Sequence, residues 1–156
     1  MPRDGGRGKI VNLSGGGAAS PRPRFSAYAA AKAALVRFSE TLADEVRERA
    51  IDVNCVAPGL IRSSLTDAVV NAGSDRAGDN EYDAAAHATD ANLARAVDLC
   101  VFLASPASDG ITGKLLHARW DPWPSLAEHR ADLDGTDLFT LRRIVPRDRR
   151  LDWGTT

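Results

Sequence analysis

Apolar positions along the chain fall into short runs and longer periodic stretches that alternate. Ile10, Val11 and Leu13 make a short run rich in β-branched residues, which predicts a buried strand over about residues 9–13. Tyr28, Ala31, Leu35, Phe38, Leu42 and Val46 then recur at three and four residues, the spacing of one face of a helix over about 26–49, with Ser26 as its N-cap. Glu40, Asp44, Glu45 and Arg47 fall on the opposite face and read as solvated. IDVNCVAPGLIRSS predicts a second buried strand from Ile51 to Val56, ending at Pro58–Gly59. A short helix capped by Ser63 or Ser64 runs to about Val70. Leu93, Ala96, Val97, Cys100, Val101 and Leu103 restore the helical period, with Thr89 or Asp90 as cap and Ser105–Pro106 as stop. After a turn at Asp109–Gly110, residues 114–120 predict a third strand. Strands alternating with helices imply parallel βαβ units with right-handed crossovers, an α/β fold.

Two stretches lack this regularity. Residues 71–92 are polar and alanine-rich and read as a mobile loop or lid with marginal helix. Residues 121–156 form a C-terminal tail of mixed character, expected to pack on the body at 1–120 or on a partner subunit. The 156 residues suffice for one domain with a sizeable core. A net charge of −1 gives no argument for a nucleic-acid or membrane partner, and the basic RRIVPRDRR near the end is isolated. Cys55 and Cys100 lie in apolar stretches and read as buried, reduced residues rather than a disulfide or metal site. No apolar run is long enough to span a membrane, and MPRDGGRGKI lacks a hydrophobic signal region, so the expected location is cytoplasmic.

The candidate chemistry lies in FSAYAAAKAALVRF. Tyr28 and Lys32, four residues apart on a helix, project from one face about one turn apart. A free tyrosine ionises near pH ~10, and a nearby ammonium favours its phenolate, so such a pair can exchange a proton with an alcohol or ketone oxygen. The alternative is a tyrosine packed in a core beside a solvated surface lysine. The glycine-rich GGGAAS at 15–20 follows a strand and is a candidate phosphate loop, but PRPRF separates it from the next helix, so that helix's amides cannot lie at the glycines.

The order of strand, Ser-containing loop, helix with Tyr and Lys, strand, and Pro-Gly resembles the short-chain dehydrogenase/reductase family, from about Gly8 to about Leu116. The resemblance covers only the family's C-terminal, catalytic half. It implies a partial Rossmann-like, doubly wound parallel sheet, the last three strands of the family fold, followed by the tail. It further implies an oxidoreductase that interconverts a small-molecule alcohol and carbonyl with NAD or NADP. Tyr28 would be the general acid/base and Lys32 would assist it and hold the nicotinamide ribose. Pro58, Gly59 and Ile61 would lie against the nicotinamide, and Ser63 would reach the cofactor. The family's substrate-orienting serine precedes the tyrosine by thirteen residues, which is Gly15 here; Ser14 stands one residue early and is the candidate substitute. The family's Asp-Gly-Gly after the last strand is replaced in HARWDPW. The half that would carry the Gly-rich dinucleotide turn has no counterpart in these residues, so the alternative function is a truncated, catalytically inactive fragment or interaction module. That half's absence predicts an open edge on the first strand, and the alanine-rich helix at 26–49 predicts a homo-oligomer.

Overall fold

The structure is a computed structural model that describes residues 7–154. Three parallel strands, β1 (Gly8–Leu13), β2 (Ile51–Ala57) and β3 (Leu115–His117), form one sheet in the order β1-β2-β3. Gly8 pairs with Ile51 and Leu13 with Val56, while Cys55 to Ala57 pair with Leu115 to His117. Helix α1 (Ser26–Glu45) connects β1 to β2, continued by a 3₁₀ turn at Arg47–Arg49. Helices α2 (Ser64–Ala72), α3 (Ser74–Ala77), α4 (Asp79–Ala86) and α5 (Ala91–Ala104) lie between β2 and β3, and a one-turn α6 (Arg130–Leu133) lies in the tail. This is the α/β arrangement expected.

The period-two alternation of β2 assigns its two faces. Val56 packs with Leu99 and Leu103 of α5, joined by Leu116, Ile111, Leu126 and Leu133. Cys55 turns the other way, toward Val36 and Ser39 of α1. With helices on both faces, the strand is buried from Asp52 to Ala57, its apolar residues interrupted by the buried polar Asp52 and Asn54. Burial pushes the Cys55 thiol pKa up, and both cysteines are free.

Four expectations are corrected. The buried side of α1 runs through Val36, Ser39, Glu40 and Ala43, whereas Phe38 is 57% exposed. Glu40, expected in solvent, is 9% exposed because the tail covers it: its Oε1 accepts the Leu141 N–H at 2.6 Å. Residues 71–86 fold into short helices packed through Val69, Ala77 and Ala85. The third strand stops at His117, where the Asp121 carboxylate accepts the His117 N–H at 2.7 Å and draws the chain into a turn. Helix boundaries also shift slightly: Phe25, not Ser26, is the cap residue of α1.

The tail is strapped to the body. Lys114 Nζ, nearly buried, donates to the carbonyls of Leu133, Thr136 and Leu138 at 3.0–3.1 Å, and the Leu115 N–H donates to the Phe139 carbonyl at 2.8 Å.

Candidate functional site

The ends of β1 and β2, the start of α1 and the segment α2–α4 enclose a cleft of about 880 Å³. A crevice beyond the carboxyl ends of parallel strands is the usual ligand position in open α/β sheets. Leu13 to Arg22, Tyr28, Pro58 to Ile61, Ser63, Glu81 and His117 line it.

Tyr28 and Lys32 share one face of the first two turns of α1. Lys32 Nζ donates to the Leu13 carbonyl at 2.9 Å and lies 5.8 Å from the Tyr28 ring centroid. The strand end thereby fixes the lysine beside the tyrosine. A Cβ at Gly15 would collide with the Tyr28 hydroxyl and lie 3.8 Å from Lys32 Cε. The position thirteen residues before the tyrosine therefore does lie at its hydroxyl, and the absent side chain leaves the room that hydroxyl fills. Ser14 lies on the face of β1 that carries Asn12, whose amide donates to Ser39 of α1. Its hydroxyl is buried without a hydrogen-bond partner among the described residues.

Across the cleft, Pro58 and Gly59 follow β2, with Gly59 at φ +80°. His117 Cε1 would lie 3.6 Å from a Cβ there, and the Asn92 amide pins the loop by donating to the Leu60 carbonyl at 2.8 Å. Ile61 is half-buried, and Ser63 caps α2 in a reciprocal pair with Thr66.

Three cleft residues carried no signal in the sequence. Arg22 donates through Nε and Nη2 to both oxygens of Glu81, at 2.7 and 2.6 Å, and stacks on Phe25 at 4.2 Å. The hydrogen bond from Arg22 holds the Glu81 carboxyl below the usual carboxylate range. Burial pushes His117 below the ordinary histidine value, partly offset by Asp121, and its Nδ1 accepts the Arg119 N–H at 3.1 Å. The neutral ring therefore carries its proton on Nε2. Arg22 and Glu81 are far apart in sequence, and only the folding of residues 71–86 brings them together.

Comparison with known proteins places this geometry. Residues 1–119 match a family model described as enoyl-(acyl carrier protein) reductase. The chain belongs to the short-chain dehydrogenase/reductase family. It is 37% identical over 110 residues to the 3-oxoacyl-[acyl-carrier-protein] reductase of Rickettsia bellii, covering 70% of this chain and 44% of that protein. It is 47% identical over 66 residues to human dehydrogenase/reductase SDR family member 4, covering 42% of this chain and 23% of that one. Among solved structures, a putative NAD(P)-dependent gluconate 5-dehydrogenase from Beutenbergia cavernae, with bound NADP at low occupancy, is 30% identical with a TM-score of 0.55. The match covers 72% of this chain and 44% of that one. The chain thus spans less than half the length of these relatives. Among the described residues, no helix is long and apolar enough to cross a membrane, and no cluster of His, Cys, Asp and Glu could hold a metal ion.

Proposed function

We propose that this chain provides the substrate-binding and proton-transfer half of an oxidoreductase that interconverts a small alcohol and a carbonyl. The observation that carries this reading is the convergence of Tyr28, Pro58 to Ile61 and Ser63 on one cleft, with the Lys32 ammonium fixed beside Tyr28 at the end of β1. Tyr28 gives its hydroxyl proton to the carbonyl oxygen during reduction and takes one from the alcohol during oxidation. Lys32 favours the phenolate that the first step leaves.

The residues present fit one end of a nicotinamide dinucleotide, NAD or NADP. Lys32 would hold the ribose, and Pro58, Gly59, Ile61 and Ser63 would border the nicotinamide side. The buried, unpartnered Ser14 hydroxyl is a further polar group on the cleft wall. The bound dinucleotide supplies or accepts the hydride. Its pyrophosphate has no cradle in these residues: residues 21–25 separate the GGGAAS loop from α1, and Gly17 turns back so that a Cβ there would meet Ala29 Cβ at 2.9 Å. The isolated chain is therefore expected to bind NAD(H) and NADP(H) weakly, which calorimetry or nicotinamide fluorescence measures. A Kd of about 10 μM or below would overturn that expectation.

Tyr28→Phe tests the chemistry. In a preparation showing alcohol–carbonyl turnover, with a dinucleotide-binding half supplied, it should lower kcat by about 10²–10⁴-fold. Activity retained within a few-fold would refute the assignment. The second reading, a catalytically inactive interaction module, is favoured by the apolar Ile10 and Leu13 that β1 leaves exposed. Turnover by the unaltered chain with that half supplied, lost in Tyr28→Phe, supports the first reading, and no turnover with that half supplied supports the second.

A further inference from the structure

Gly15 removes a hydrogen-bond donor from the side of the cleft where the reacting oxygen must meet Tyr28. The neighbouring stretch of the cleft wall holds another. Arg22 spends Nε and Nη2 on Glu81 and its stacking face on Phe25, which fixes the plane of the guanidinium. Its third nitrogen, Nη1, makes no hydrogen bond of ordinary geometry among the described residues, and the guanidinium also interacts with the Tyr28 hydroxyl. That nitrogen would lie 3.8 Å from a Cβ at Gly16, and the guanidinium carbon is 5.3 Å from the Tyr28 ring centroid. A fork with two donors committed and one free, beside the proton donor, is built to receive an oxygen.

We infer that Arg22 is an oxygen-orienting residue: its Nη1–H donates to the carbonyl or alcohol oxygen of the substrate, in place of the side chain that position 15 lacks, while Glu81 positions the guanidinium. The inference rests on the proton-transfer reading of Tyr28 but needs no turnover to be tested. A donor aimed at a carbonyl oxygen polarises the bond, and removing one such donor typically lowers kcat by about 10²–10³-fold. The substrate this selects is a ketone or aldehyde narrow enough to place its oxygen between Arg22 and Tyr28. Glu81 already neutralises the arginine, so a carboxylate on the substrate gains little there.

Ethyl acetoacetate carrying ¹³C at the ketone carbon is the probe, titrated into the full chain and followed by carbon NMR. The expected result is a downfield carbonyl shift in the bound probe that Arg22→Gln largely removes and that Tyr28→Phe, which takes away the second donor to the same oxygen, reduces to a smaller extent. Glu81→Gln, which frees the fork to rotate, should reduce the shift without abolishing it. Arg22→Lys keeps the charge but not the fork, so it also loses most of the shift and serves where Arg22→Gln fails to fold. A bound probe whose shift survives in the folded Arg22 variants, or the absence of any shift with the unaltered chain, overturns the inference. Full activity in Tyr28→Phe with the shift lost in Arg22→Gln would instead overturn the proton-transfer reading and leave Arg22 as an oxygen-binding residue.

Discussion

The two edges of the sheet have opposite treatments. At β3 the tail supplies what an edge needs: the Phe139 carbonyl takes the Leu115 N–H, and the Lys114 ammonium gathers three tail carbonyls. At β1 the inner side is fully paired with β2, from Gly8 N–H to the Ala50 carbonyl through Ser14 N–H to the Val56 carbonyl. Parallel pairing uses alternate residues, so the N–H and C=O groups of Lys9 and Val11 face away. Among the described residues no strand meets them, and Ile10 and Leu13 are 38% and 55% exposed. The comparison separates two requirements that are easily merged. Side chains from a tail can cover a face, but an edge is closed only by backbone groups or by a side chain that reaches them.

Breaking the strap at the closed edge should have the largest effect. Burial lowers the Lys114 pKa, partly offset by Asp134, Asp137 and Glu40, yet the ammonium has three carbonyl acceptors. Lys114→Met removes a charged donor from all three, and a hydrogen bond to a charged group contributes a net of about 1.5–3 kcal/mol. The expected loss is about 3 kcal/mol in a denaturant melt, together with new protease cleavage between residues 130 and 142. A loss under about 1 kcal/mol would show that the tail is held by its apolar contacts instead.

A smaller effect is expected where β1 begins. Asp52 is buried at the start of β2 and accepts Arg7 at both oxygens, Lys9 at 2.9 Å and the Gly110 N–H at 3.1 Å. Burial alone would raise its pKa; the hydrogen bonds from Arg7, Lys9 and Gly110 outweigh that and hold it below the ordinary aspartate value. A folded-state pKa below the unfolded one gives stability that is full above the unfolded value of about 4 and is lost as pH falls through the folded value. Asp52→Asn should therefore cost about 2 kcal/mol at pH 7 and flatten the acid side of the stability profile. An unchanged slope below pH ~4 would mean that other carboxylates govern acid unfolding.

The sequence reveals the parts of this molecule whose physics is local. Strand runs such as Ile51–Val56 are legible because apolar and β-branched residues bounded by Pro58–Gly59 mark a buried strand, even with Asp52 and Asn54 inside it. The Tyr28–Lys32 pair is legible because helical spacing is fixed. Phe38 is misread because α1 turns Val36, Ser39 and Ala43 toward the sheet, and Glu40 because its cover comes from the tail, more than a hundred residues on at Leu141. The Arg22–Glu81 pair is invisible because nothing in a proline-rich loop or a polar alanine-rich stretch marks either residue. The third strand, expected over 114–120, ends at His117 because the Asp121 carboxylate bonds backward through its side chain.

The last effect concerns assembly more than stability. An open, apolar edge pairs readily with another chain, and natural edges suppress this with charge. Lys9 is the one charged residue within β1, and its ammonium is already committed to Asp52 and Asp109. Self-association is therefore expected through β1, in competition with the face of α1 where Phe38 is exposed. Ile10→Lys places a charge on the edge, where a half-exposed side chain can reach water, and should change folding stability by less than about 1 kcal/mol. Phe38→Lys does the same on the helix. Sedimentation velocity on the two variants separates the surfaces. Dispersal by Ile10→Lys alone assigns association to the edge, and dispersal by Phe38→Lys alone assigns it to the helix. A monomeric unaltered chain would overturn the expectation that β1 drives association, since an open apolar edge favours pairing with another chain.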